Sequence, residues 1–104
     1  MGVMEKSLEV SFQRLGFTPY DLGMEARIGT VELQAVEHPL KGIALFFTCV
    51  EPRTASQFET FVSKTCTAEQ IAITIYAHFI LNLKEHADEC RRYFAACGIS
   101  LGAN

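Results

Sequence analysis

Gly98-Ile99-Ser100-Leu101-Gly102 matches G-x-S-x-G, the elbow that presents a nucleophilic serine in hydrolases. That elbow works when a strand enters a strained turn, a helix leaves it, and the triad acid and histidine come later in the chain. Here a helical pattern precedes the motif and no histidine comes after it. Gly98 is therefore expected to cap a helix rather than to open an active site.

His86, Cys90 and Cys97 are metal-ligand types that would lie within about 40° of one another on a helix. Axial rise separates them: from 86 to 97 is about 16 Å at about 1.5 Å per residue, too far for one ion. Only His86 and Cys90 could chelate together, and no C-x-x-C or H-x-x-x-H supplies the remaining ligands. The four cysteines, Cys49, Cys66, Cys90 and Cys97, are expected to be reduced thiols that pack as small hydrophobes. No G-x-x-x-x-G-K or G-x-G-x-x-G loop is present to cradle a phosphate. No metal and no cofactor is expected.

His78 and Asn82 share a helical face with Ile71 and Ile75, which puts two polar groups on an apolar strip. Such groups need partners. One arrangement is a His–Asn pair satisfied within the protein. Another is a pocket in which Phe46, Phe47, Tyr76 and Phe79 wall an apolar small molecule while His78 and Asn82 orient it. A general base at His78 has no carboxylate on the same helix face to orient it. Glu37, His38 and Glu51 would gather near a hairpin, where His38 is the other candidate base, although a histidine before proline is ordinary turn chemistry.

The elements that must position these groups read as α+β. Met4, Leu8, Phe12 and Leu15 recur at helical spacing, and Leu15-Gly16-Phe17 resembles a helix end. A strand is the rival reading there, because Leu8, Val10 and Phe12 also alternate with polar residues. From Tyr20 to Ile28 the period is two, which predicts one half-buried strand. Gly29-Thr30 suits a type II′ turn, and pairing across it sets Ile28 opposite Val31, Ala26 opposite Leu33 and Met24 opposite Ala35. A five-residue turn at 38–42 then sets Ala35 opposite Leu45, Leu33 opposite Phe47 and Val31 opposite Cys49. The result is a three-stranded antiparallel meander. Its third strand, 43–50, is apolar on both faces and needs a cover beyond the meander. Glu51-Pro52-Arg53 is expected to end it.

Thr54…Gln57 and Thr67…Gln70 both read as capping boxes, predicting helices over 55–65 and 68–84. The second has apolar residues over an arc of roughly 200°, the pattern of a central helix with more than one neighbour. A narrower stripe of Cys90, Tyr93, Phe94 and Cys97 predicts a last helix ending at Gly98, continuous or not with the one before. Two or three C-terminal helices would then pack on the sheet.

The chain has 104 residues, 49% of them apolar, and a net charge of −3, which suits one globular domain over 1–104. Nine basic against 12 acidic residues, without runs, leave no electrostatic footprint for nucleic acid or an anionic membrane. The apolar run Ile71–Leu83 falls short of the about 20 residues that cross a bilayer. The N-terminus lacks the apolar segment of a secretory signal, so a cytoplasmic location is expected. Six of the eight phenylalanines fall at or after Phe46, concentrating apolar surface in the second half of the chain. The expectation is a non-enzymatic interaction protein, a homodimer joined through the third strand and the central helix, with a small-molecule pocket or a different protein partner as alternatives.

Overall fold

The structure, a computed structural model, describes residues 4–49 and 56–101. Helix α1 (Lys6–Arg14) leads into strands β1 (Thr18–Tyr20), β2 (Gly23–Ile28), β3 (Val31–His38), β4 (Gly42–Cys49) and β5 (Ser56–Val62). Helix α2 (Ala68–Asn82), a 3-10 turn at Lys84–His86 and helix α3 (Ala87–Ala96) follow. The fold is α+β, with five antiparallel strands in the sequential order β1-β2-β3-β4-β5. One sheet face carries Met24, Ile28, Val31, Leu33, Ala35, Ile43, Leu45 and Phe47, and these form one buried cluster with Leu8, Phe12, Ile71, Ile75, Phe79, Cys90 and Phe94 of the helices.

The N-terminal segment is helical, and its end explains why. Gly16, at φ 86°, donates its N–H to the Gln13 carbonyl, while Phe17 donates to the Phe12 carbonyl, each at 3.0 Å. This double bond pattern is a Schellman cap, closed by edge-to-face contact of the Phe12 and Phe17 rings 5.0 Å apart. The same pattern ends α3, where Gly98 donates to Ala95 and Ile99 to Phe94. The G-x-S-x-G match is thus a helix C-cap over its described residues, with Ile99 buried and Ser100 exposed. Gly102 lies outside the described residues.

Pairing of β2 with β3 and of β3 with β4 has the register expected from alternation, including Ala26 opposite Leu33 and Leu33 opposite Phe47. Gly29 takes φ 62° and Thr30 does not have positive φ, as a type II′ turn requires. The turn after β3 is shorter than expected, because His38 and Gly42 still pair and leave only Pro39, Leu40 and Lys41 unpaired.

Two strands were not foreseen. The single strand expected over 20–28 is divided at Asp21-Leu22, so that Tyr20 turns back onto Gly23 and β1 becomes an edge. Asp21 makes the turn at φ 52°, a left-handed conformation that aspartate tolerates better than most residues. The helix expected over 55–65 is instead strand β5, paired with β4 through Phe47↔Phe58, Leu45↔Thr60 and Ile43↔Val62. Phe58 and Val62 stand four apart, a spacing that shares a face in a helix and also in a strand. Phe61, which a helix would set beside them, faces the other way next to Ala44. Pairing with β4 sets Val62 in the core and Phe58 against it, while the β4 edge gains backbone partners along its length. The meander therefore has five strands, not three. Thr54, proposed as the first cap, and Glu51-Pro52-Arg53, proposed as a strand end, lie outside the described residues.

The second capping box is present. The Thr67 hydroxyl accepts from the Gln70 N–H at 3.1 Å, and the Gln70 side-chain oxygen accepts from the Thr67 N–H at 2.8 Å. α2 ends at Asn82 rather than 84, because Leu83 leaves helical geometry (φ −135°, ψ 51°), so α2 and α3 are separate helices.

Candidate functional site

The wide apolar arc of α2 resolves into two faces. Ala68, Ile71, Ala72, Ile75 and Phe79 are buried, spanning about 100° of the helix surface against the sheet. On the far side Ile73 is 55%, Ile80 43% and Leu81 75% exposed, with Ala77 exposed between them and Tyr76 half-buried on the shoulder. α2 does have more than one neighbour, since it packs against α1, α3 and the sheet, but these cover only part of its apolar arc. α2 is packed on one side and presents aliphatic side chains on the other.

On the packed side, the six residues proposed as a ligand site are only partly brought together. The His78 ring stacks on Phe47, with centroids 5.5 Å apart and planes at 25°. Phe79 meets Phe47 edge-on at 6.1 Å, and Tyr76 packs against the same core. Asn82 Nδ2 lies 3.5 Å from His78 Nδ1. Phe47 and Phe79 are fully buried, so they fill the core and leave His78 and Asn82 at its margin. Phe46 does not join them. It pairs with Gln34 and Glu59 and so faces the opposite side of the sheet, because adjacent strand residues point apart. Among the described residues no carboxylate hydrogen-bonds to His78. Among the described residues, cavities of about 280, 200 and 450 Å³ open elsewhere, beside Arg27, Tyr20 and Lys41 respectively.

His38, the other candidate base, holds its own hairpin together. Its Nδ1 accepts from the backbone N–H groups of Leu40 and Lys41, both at 3.0 Å. Its ring meets Phe61 edge-on at 5.6 Å, and Lys41 Nζ sits 4.9 Å above the same Phe61 ring. Glu37 points to the opposite face and pairs with Lys64 at 3.3 Å. Glu37 and His38 are therefore not a pair, and Glu51 lies outside the described residues.

Two of the four thiols, Cys90 and Cys97, are poorly suited to nucleophilic or ligand chemistry. Burial pushes the Cys90 thiol up to about 12 and also raises Cys97. A thiol must lose its proton to attack or to bind metal, and these two hold theirs. Cys49 is buried and Cys66 half-buried. His86 Nδ1 lies 3.7 Å from Glu89, a two-member contact. Among the described residues no three His, Cys, Asp or Glu side chains converge as metal ligands, and no helix is long and apolar enough to cross a membrane.

The open face of the sheet is the second apolar surface. Val36, Ala44 and Phe61 form one row across β3, β4 and β5, and this row leaves Ala44 only 4% exposed. Phe46 stands in the next row between Gln34 and Glu59. Charged residues interrupt the rest, with Glu25 and Glu59 there and Arg27 within 3.9 Å of Glu32.

A contact missed in the sequence joins the two ends of the helical layer. Tyr93 of α3 donates its hydroxyl to the Leu15 carbonyl at 2.7 Å, directly over Gly16. No local spacing signals a bond between residues so far apart in the chain. The outward stripe of α2, by contrast, was contained in the arc of Ile73, Tyr76 and Ile80, although not its exposure.

No family model, curated protein or solved structure matches this chain.

Proposed function

We propose that the chain is a non-enzymatic interaction protein that works as a homodimer, with the outer face of α2 as its principal contact surface. One observation carries this reading: Ile73, Ala77, Ile80 and Leu81 lie exposed on a helix whose opposite side is completely packed. Contiguous exposed aliphatic surface of this kind marks interaction sites in soluble domains, and a two-fold pair is the commonest closed assembly. The third strand of the sequence reading corresponds to β4. Its inner face is filled by the helical layer, and its outer residue Phe46 faces away from α2. One two-fold contact cannot use both surfaces. The helix face is favoured because acidic side chains and an Arg27–Glu32 pair break up the sheet face.

Light scattering coupled to size-exclusion chromatography tests the reading. Two chains per particle are expected across micromolar concentrations, and a monomer throughout that range would overturn it. A small-molecule reading keeps one supporting observation, the stack of His78 on Phe47 at the margin of the core with Asn82 beside it. Native mass spectrometry of freshly purified protein separates the two, since a retained small molecule on a single chain supports the second and a bare dimer the first.

A further inference from the structure

We propose that the outer edge of β5 is a strand-pairing site and that β5 of a second copy occupies it, running antiparallel, so that two five-stranded sheets join as one. This rests on the homodimer reading above and goes beyond the α2 face, giving the dimer a contact through its backbone. The two edges of the sheet differ. β1 is three residues long and contains Pro19, which has no N–H to offer a further strand. β5 is seven residues long, contains no proline and no lysine, and pairs with β4 from Cys49↔Ser56 to Ile43↔Val62 without a bulge. Among the described residues no other hydrogen bond reaches its backbone. An edge of this length and regularity is a template for another strand unless a charge, a bulge or a proline blunts it. Glu59 is the one charge in β5, and it stands on the outer sheet face beside Phe46.

The residues of β5 also fit their own copy. A two-fold axis normal to the sheet pairs residues whose numbers have a constant even sum, so each side chain stays on its own face. Centring the axis on Glu59 would oppose two carboxylates. Centring it on Thr60 sets Thr60 opposite Thr60, Phe58 opposite Val62 twice on the core side, and Glu59 opposite Phe61 on the other. Threonine pairs and pairs of an aromatic with a β-branched residue are favourable cross-strand neighbours. Centring on Phe58 makes one aromatic pair and leaves Phe61 and Val62 beyond the contact. Phe58 lacks such a neighbour within its own chain: it packs against the core cluster yet is only half-buried, and no strand stands on its side away from β4. α2 lies over β4, where His78 and Phe79 both meet Phe47, so both copies of α2 stand on the same face of the joined sheet.

Amide exchange and cross-linking of the full chain test the pairing. With about nine-tenths of the chains paired, the amides of alternate β5 residues, those directed away from β4, are expected to exchange about tenfold more slowly than in dilute monomer, because only the free tenth exchanges. Thr60→Cys is expected to form a disulfide-linked dimer on mild oxidation, since facing residues of an antiparallel pair lie about 4.5–5.5 Å apart at Cα, within disulfide reach. The natural chain and Glu59→Cys, treated alike, should not. Circular dichroism checks that both variants are folded. A natural chain that is monomeric at every concentration overturns the homodimer reading and this pairing with it. A dimer whose β5 amides exchange as fast as in the monomer overturns the pairing alone and leaves the contact to the α2 face. Slowed exchange without cross-linking of Thr60→Cys overturns the register centred on Thr60.

Discussion

Gly16→Ala is expected to be among the costliest one-carbon changes on the surface of this protein. Gly16 sits at φ 86°, where an L side chain crowds its own backbone at a cost of about 1–2 kcal/mol. The added Cβ would also lie 2.2 Å from the Tyr93 hydroxyl and 3.1 Å from the ring carbon that bears it. Tyr93 must then move, losing its 2.7 Å bond to the Leu15 carbonyl, a further loss of about 0.5–1.5 kcal/mol. The sum is about 2–3 kcal/mol, enough to lower Tm by roughly 10–20 °C in a domain of this size. Tyr93→Phe removes the hydroxyl that the new Cβ would strike, so in that background Gly16→Ala should cost little more than the backbone penalty. The two substitutions should therefore be non-additive by about 1 kcal/mol. Urea unfolding of the four proteins measures the cycle, with an unchanged m value as the check that only stability moved. A cost for Gly16→Ala below about 0.5 kcal/mol, or full additivity with Tyr93→Phe, would refute the reasoning.

Phe79→Ala should destabilise by about 3–5 kcal/mol, because it empties a fully buried site against Phe47. Ile80→Ala, one residue along, should cost the monomer under about 1 kcal/mol, and equal costs would contradict the two faces assigned to α2. Thr67→Ala removes the hydroxyl that caps α2 and is expected to cost about 1 kcal/mol in chemical denaturation, with no loss meaning that the cap is dispensable. Burial pushes Cys90 from an ordinary 9.0 to about 12, and burial, reinforced by the neighbouring Cys97 and Cys90, pushes Tyr93 from 10.0 to about 12. Folding thus favours the protonated forms of both. Their contribution is complete below about pH 9 and is lost as pH rises towards 12, because the unfolded chain gives up these protons first. Stability measured in urea should hold to about pH 9 and then fall steeply, and a flat profile to pH 11 would count against the burial of these groups.

Features whose information lies within one turn of chain were legible in the residues. The Thr67…Gln70 box and the Gly16 and Gly98 caps each satisfy backbone groups from neighbours a few positions away, so the sequence alone names both partners. The registers of β2 with β3 and of β3 with β4 were legible for a related reason. Alternation allows only one parity that puts Ile28, Val31 and Leu33 on a common face. Within the candidate ligand site, the approach of His78 to Asn82 follows from helical spacing alone. The separation of Phe46 from Phe47 follows from strand alternation, once the segment is known to be a strand.

The sequence by itself determined the α+β class, the apolar and polar faces of the central strands, the Thr67 cap of α2 and the glycine-capped ends of α1 and α3. Tertiary structure alone decided that 56–62 is a strand, because the spacing of Phe58 and Val62 fits either element and the partner that distinguishes them, β4 with the core behind it, leaves no local signal. It also decided which part of α2's apolar arc is buried. Periodicity reports which residues share a side of a helix, whereas burial depends on what stands opposite. In this chain the sheet and the other helices cover Ile71, Ile75 and Phe79, and leave Ile73, Ala77 and Ile80 facing outward.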